Sequence, residues 1–259
     1  MKRIVVDLGK DIEELTIIPI SDIHIGDKTM NMELLKATLE RIKNEPNTYT
    51  IINGDVCNIA LKDSKSDVYS DEMTPMEQLN YALTLLEPIK DKILVLSNGN
   101  HEARITKNTN IDILYLLAKQ LGIEDRYAPS WWYLYLSFGI STKHKNKPFL
   151  YIITGYHGSG GGRKPGGKIN RLEEMSQVVI ADLYIMSHVH KTIGTKGLIF
   201  VPDVQHKTMV KKDLYYLITN SFVEYEGSYA ETMGLIPSNT SINEAKLSGK
   251  NKKGIKLIL

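Results

Sequence analysis

Two rhythms of apolar positions alternate along the first half of the chain. Short runs at Glu14-Leu15-Thr16-Ile17-Ile18-Pro19-Ile20, Tyr49-Thr50-Ile51-Ile52 and Lys92-Ile93-Leu94-Val95-Leu96 have the length of buried strands. Pro19 inside the first run predicts a bulge or irregular pairing. Between the runs, Met30 to Asn44 places Leu34, Leu35, Thr38, Leu39 and Ile42 at helical spacing. A second helix is predicted from Pro75 to about Ile89, with proline in its first turn, and a third from Asn110 to Leu121, closed by Gly122.

From residue 131 the pattern turns toward β. Trp131 to Ile140 and Pro148 to Thr154 are aromatic or β-branched and flank the basic turn Lys143 to Lys147. A glycine-rich loop, Gly155 to Gly167, leads to a short helix around Ile169 to Gln177. Strands are predicted at Leu183 to Met186, Gly197 to Val201 and Leu214 to Thr219, and a C-terminal hairpin at about 242–259. Parallel strands first and antiparallel strands later predict an α/β fold: two packed sheets flanked by helices, in a single domain spanning 1–259.

Composition narrows the function classes. The 259 residues carry a net charge of +2, so a global polybasic footprint for DNA or membranes is absent. A single cysteine, Cys57, excludes a disulfide framework and a cysteine zinc finger. Asp7 cuts the first apolar run too short for a signal peptide, and no run approaches the ~20 residues of a membrane helix. A cytoplasmic protein with no membrane association is expected.

The histidines stand at the ends of apolar runs rather than on helix faces. Asp22-Ile23-His24, Gly54-Asp55, Asn100-His101, His157 and His188-Val189-His190 each follow a predicted strand. In α/β sheets, ligand sites gather beyond the carboxyl ends of strands, so five such clusters predict one site built from distant segments. Two Asp, one Asn and four His offer oxygen and imidazole donors without thiolate, a mix suited to Mn, Fe, Zn or Mg. Seven donors are too many for one tetrahedral ion and fit two ions bridged by a carboxylate. Singly, Asp-x-His arises by chance and Asn-Gly-Asn is commonly a turn; the ordered set is what points to metal.

Asp22-Ile23-His24, Gly54-Asp55-Val56-Cys57-Asn58, Gly99-Asn100-His101-Glu102, His157-Gly158 and Ser187-His188-Val189-His190 resemble the five sequence blocks of the calcineurin-like metallophosphoesterases, over roughly residues 15 to 225. The stretches Gly99 to Gly122 and Tyr225 to Tyr229 look like phage- or prophage-type members. The resemblance implies a four-layer β-sandwich flanked by helices. It also implies that Asp22, His24 and His190 hold one metal, Asn100, His157 and His188 the other, and Asp55 bridges them. Two divalent ions are implied, manganese first, with iron, zinc, nickel or magnesium as alternatives. His101 is implied to be the catalytic acid or electrostatic stabiliser rather than a ligand, and Arg104 to assist at the phosphate. Ser187 stands where the family has Gly and Glu102 where Asp is more frequent; Ser187 should cost backbone freedom if that position needs positive φ.

The expected activity is hydrolysis of phosphate esters without a phosphoenzyme. Phosphodiesters of nucleotides or nucleic acid, as for a nuclease, come ahead of phosphomonoesters and phosphoproteins. Arg163, Lys164 and Lys168 in the glycine-rich loop are the candidate contacts to a longer substrate, with Tyr156 as a stacking ring; a solvated loop explains the same residues. Gly162 to Lys168 also fits G-x-x-x-x-G-K, but Ile169 stands where Ser or Thr must follow and Pro165 lacks an N–H. Trp131 and Trp132 fit either base stacking or the core, and Cys57 reads as a small hydrophobe. His144 and His206 lie in basic stretches outside the site. A non-catalytic scaffold should have lost ligands, whereas every ligand position here is filled.

Overall fold

The computed structural model of the chain describes residues 1–61, 71–141, 147–160, 165–237 and 241–259, and there the apolar runs form two six-stranded sheets. One sheet has the order β1 (Lys2–Asp7), β6 (Trp132–Ser141), β7 (Lys147–Tyr156), β8 (Leu183–Met186), β10 (Thr208–Ile218), β9 (Ile193–Asp203). The other has the order β12 (Ile255–Ile258), β11 (Glu244–Ser248), β2 (Glu14–Ile20), β3 (Thr48–Asn53), β4 (Ile93–Ser97), β5 (Tyr127–Ala128).

Side-chain alternation builds the layers. Leu15 and Ile17 of β2, with Ile51 and Val95, face Trp132, Leu134, Tyr151, Ile153 and Ile185 of the opposite sheet. Ile18 and Ile20 point the other way, with Ile52 and Leu96, under helices α1 (Met32–Asn44), α2 (Pro75–Leu86) and α4 (Ile113–Leu121). Leu172 and Met175 of α5 (Pro165–Val178) cover Tyr184, Met186, Leu214 and Ile218 on the far face. Helix, sheet, sheet and helix give the four layers. Strands buried on both faces must be apolar throughout, which is why β2, β3 and β4 read as continuous runs.

The helix ends follow their signals. Asn31 caps α1, Thr74 and Glu77 form a capping box ahead of Pro75, and Gly122 closes α4 at φ 71°. Pro19 departs from expectation: it pairs in regular register with Ile51, and the irregularity lies between Thr50 and Ile51 on the β4 side. The β11 ladder stops at Ile17, so it asks for no N–H from Pro19. β9 and β10 run 11 residues each, twice the expected length, because they continue as a two-stranded ribbon beyond β8. The C-terminal hairpin forms where expected and adds β11 to β2. No helix among the described residues is long and apolar enough to cross a membrane.

Strands β2, β3 and β4 are parallel to one another, as are β7, β8 and β10. Their carboxyl ends carry the loops that start at Ser21, Gly54, Asn98, His157 and Ser187.

Candidate metal centre

Five side chains of this edge sit on left-handed backbone: Asp22 (φ 49°), His24 (54°), Asp55 (51°), His188 (69°) and His190 (47°). Outside glycine that conformation is uncommon, and each instance costs of order 1–3 kcal/mol unless surrounding contacts impose it. Concentrating five at one edge sacrifices local stability to aim these groups inward. Ser187 is not among the residues at positive φ, so replacing glycine there costs no backbone freedom. Glycine is needed at two neighbours. A Cβ on Gly54 would lie 2.6 Å from His157 Nδ1 and 2.7 Å from Gly99 Cα, and one on Gly99 would strike Asp55. Gly54→Ala should therefore disrupt the centre, read as a lower melting temperature together with loss of metal uptake.

Each carboxylate spends one oxygen on the scaffold and leaves the other open. Asp22 Oδ2 accepts from Ser21 Oγ (2.7 Å) and from the His188 N–H (3.1 Å). Its Oδ1 is buried without a hydrogen bond and faces His190 Nε2 at 3.1 Å, His157 Nε2 at 3.8 Å and His24 Nε2 at 3.9 Å. Asp55 Oδ1 accepts from the His101 N–H (2.9 Å), while Oδ2 lies 3.0 Å from His157 Nε2 and 3.8 Å from His101 Nε2.

The imidazoles are fixed from behind. His157 Nδ1 donates to the Asn53 carbonyl (2.7 Å). His24 Nδ1 donates to Asn58 Oδ1 (3.1 Å), and Asn58 Nδ2 in turn donates to Asp71 Oδ1 (2.6 Å). Both tautomers, assigned from these partners, turn a bare Nε2 toward the carboxylates, and neither buried Nε2 has a hydrogen-bond partner. Lone pairs of two imidazoles aimed at open carboxylate oxygens repel unless a positive charge stands between them. Without a metal, a proton supplies it: burial opposes ionisation of His157, but Asp55 and Asp22 outweigh burial and push it up to about 10. Burial and the neighbouring His101 instead hold His24 down at about 3. The carboxyls respond in kind. Burial disfavours their charge, yet His190 and His157 keep Asp22 below the ordinary range, and His157 does the same for Asp55.

Among the described residues, three groups have donor atoms that lie within 4.8 Å of one another in each group: Asp22, His24 and His190; His24, Asp55 and His101; Asp55, His157 and His188. The first and third contain six of the seven ligands that the resemblance implied, and the second links them by placing His24 beside Asp55. These orphaned buried donors and their oxygen–nitrogen chemistry fit divalent ions. Asn100 is exposed on the turn between β4 and α3 (Glu102–Thr109). His101 Nδ1 faces the Asn58 carbonyl, and its Nε2 accepts from Arg104 Nη2 at 3.0 Å. Arg104 Nη1 also donates to the Ile59 carbonyl (3.0 Å).

Glu102 is fully buried and ties two of the loops together. Its carboxylate accepts from the N–H groups of Asp55 (3.1 Å), Cys57 (2.9 Å) and Gly99 (3.1 Å). Burial and the charge of Asp55 raise it to about 7, against the pull of those donors. Glu102→Ala orphans three buried donors at about 1–3 kcal/mol each. A loss exceeding about 3 kcal/mol is expected in denaturant unfolding of the metal-free protein.

The substrate candidates are placed less uniformly. Tyr156 is half-buried and stacks on Trp131 at 4.8 Å and 6°, so its ring is already engaged. Lys168 is buried and donates to the Val189 carbonyl (3.0 Å). Arg163, Lys164 and His144 lie outside the described residues. Gly166 and Gly167 are helical, within α5. Trp132 is wholly buried between the sheets, Cys57 is buried with its thiol pushed up by burial, and His206 pairs with Asp203 (2.8 Å) in the β9–β10 turn.

Sequence reading missed the supports. Asn53 donates to the Tyr156 carbonyl (2.9 Å) and to Ser187 Oγ (2.7 Å), and accepts from Ser97 Oγ (3.1 Å) and Trp132 Nε1 (3.0 Å). Thr219 Oγ1 donates to Ser187 Oγ (2.9 Å) and lies 2.6 Å from Ser21 Oγ, continuing this buried network to Asp22. The available signal was a polar residue closing an apolar strand, as Asn53 closes β3.

A family model described as calcineurin-like phosphoesterase matches residues 15–192. No curated protein matches the chain by sequence. Among solved structures, the chain is similar to a conserved uncharacterised protein of Streptococcus pneumoniae TIGR4, a predicted phosphoesterase, at 14% identity and TM-score 0.37, covering 95% of this chain and 98% of that one. It is similar to Entamoeba histolytica Vps29 complexed with zinc at 11% identity and TM-score 0.41, covering 94% and 98%. Its likeness to the Pseudomonas putida nuclease MPE has 13% identity and TM-score 0.34, covering 93% and 87%.

Proposed function

The chain belongs to the calcineurin-like phosphoesterase family, and from that premise we propose that it is a metal-dependent hydrolase of phosphate esters working with two divalent ions. The observation that carries the reading is the set of buried donors without hydrogen-bond partners, Asp22 Oδ1, His24 Nε2 and His157 Nε2, converging on one point. Asp22, His24 and His190 would hold one ion, Asn100, His157 and His188 the other, and Asp55 both. When bound, such ions polarise phosphate oxygens and activate water at neutral pH. Manganese remains the first candidate, and phosphodiesters of nucleotides or nucleic acid the first substrates.

The protein's own groups do the rest. Asn53, Asn58 and Glu102 hold the ligating side chains so that little reorganisation is needed when substrate arrives. His101 and Arg104, half-buried beside Asp55, form the cationic or hydrogen-bonding wall against which phosphoryl charge can develop. No side chain need act as a nucleophile.

The test is a panel with Mn²⁺: bis-p-nitrophenyl phosphate, p-nitrophenyl phosphate, single-stranded and duplex DNA, and cyclic nucleotides. Hydrolysis of the diesters ahead of the monoester is expected. A protein that takes up metal but turns over none of them is a scaffold on this fold. Metal uptake should also release protons, because a cation replaces the proton that Asp55 and Asp22 hold on His157. Lowering the pH therefore strengthens the competing proton and weakens metal binding. Calorimetry in buffers of different ionisation enthalpy should show about one proton released per chain near neutral pH; uptake independent of pH would contradict this.

A further inference from the structure

Lys168 is 8% exposed, an environment lysine seldom occupies without a partner. It lies in the first turns of α5, and its Nζ donates to the Val189 carbonyl at 3.0 Å. Val189 separates His188 and His190, both on left-handed backbone at φ 69° and 47°. Two ties hold this turn from the strand side: the His188 N–H donates to Asp22 Oδ2 (3.1 Å) and the Val189 N–H to the Ser187 carbonyl (2.8 Å). Lys168 grips it from the helix layer. Arg171, one turn further along α5, donates to the Ser159 carbonyl, two residues beyond His157. The helix thus brackets both segments that carry His157, His188 and His190.

We propose that Lys168 is a positioning residue that holds the His188–His190 turn through the Val189 carbonyl, keeping the two imidazoles aimed into the two half-sites. This rests on the two-metal reading above. It gives Lys168 a different task from a phosphate contact, because the ammonium is already directed at a backbone carbonyl. A turn with two strained residues keeps its shape only when its surroundings over-determine it. Removing one tie should therefore loosen both histidines at once.

The test compares the wild type, Lys168→Met and Lys168→Arg by Mn²⁺ titration against a competing chelator. Methionine keeps a long apolar stem and lacks the donor; arginine keeps charge and donors. Loss of a group that orients a metal ligand typically costs ~10–100-fold in affinity. Lys168→Met is expected to bind Mn²⁺ at least about 10-fold more weakly. At saturating Mn²⁺, its KM for bis-p-nitrophenyl phosphate should match the wild type, and Lys168→Arg should recover most of the affinity. Melting in chelator checks folding; if Lys168→Met is unstable, Lys168→Gln, with a shorter donor, is titrated in its place. Unchanged Mn²⁺ affinity with a raised KM would overturn the proposal and return Lys168 to the substrate. Unchanged affinity and KM would overturn it in favour of a packing role. A wild type that takes up no Mn²⁺ would sink the metal-centre reading itself, an outcome visible without any variant.

Discussion

Replacing Asp55 by Asn should leave the chain folded but lower its metal content from about two ions to below one. Phosphoesterase turnover should fall by more than the ~10–100-fold that loss of an outer support costs. Asp55 Oδ1 is committed to the His101 N–H, and an amide oxygen can keep that bond. What the amide cannot keep is the negative charge at Oδ2, 3.0 Å from His157 Nε2. On the proposed assignment, in which Asp55 bridges the two ions, both sites weaken together. Asn100→Ala, by contrast, should mainly empty the one half-site to which the proposal assigns it. Elemental analysis after Mn²⁺ reconstitution distinguishes the cases. Full loading of a protein carrying both Asp55→Asn and His188→Ala would refute the assignment.

The parts legible in the sequence were those in which one residue type has few alternatives. Carboxylates and imidazoles closing five apolar strands in order are hard to explain without chemistry, and Asp22, His24, Asp55, His157, His188 and His190 do converge. Gly122 and Pro75 marked helix ends because backbone geometry restricts those positions. The missed elements lack such a signature. β1 is an edge strand with Val5 exposed, so its alternation is weak, and α3 buries only Glu102, leaving no apolar stripe to detect. Long-range supports were hidden for another reason. Asn53 meets Ser97, Trp132 and Ser187 only after both sheets have paired, and no local spacing encodes a contact across the sandwich. Lys168 illustrates the converse: beside glycines and other basic residues its charge read as solvated or substrate-facing, and packing of α5 against the sheet buried it.

His101→Ala should lower kcat by ~10²–10⁴-fold, the usual contribution of a positioned acid or base, with metal content unchanged. The structure sets up that role in part. Nδ1 faces the Asn58 carbonyl, which fixes the tautomer, and Nε2 faces Arg104 and the open oxygen of Asp55. Burial lowers the pKa of His101, Asp55 partly restores it, and Arg104 lowers it again; Nε2 accepts from Arg104. An acid role then requires the phosphate to take over Arg104's hydrogen bond and allow Nε2 to be protonated. Leaving groups separate the possibilities: p-nitrophenolate departs without a proton, whereas a nucleoside hydroxyl needs one. An acid predicts a much larger loss on a dinucleotide than on bis-p-nitrophenyl phosphate; a purely electrostatic role predicts similar losses on both. The third possibility is written in the same geometry, because His101 also lies within 4.8 Å of ligand atoms of His24 and Asp55. If metal content falls in step with activity in His101→Ala, the imidazole is a ligand, and the acid must be sought in Arg104's neighbourhood instead.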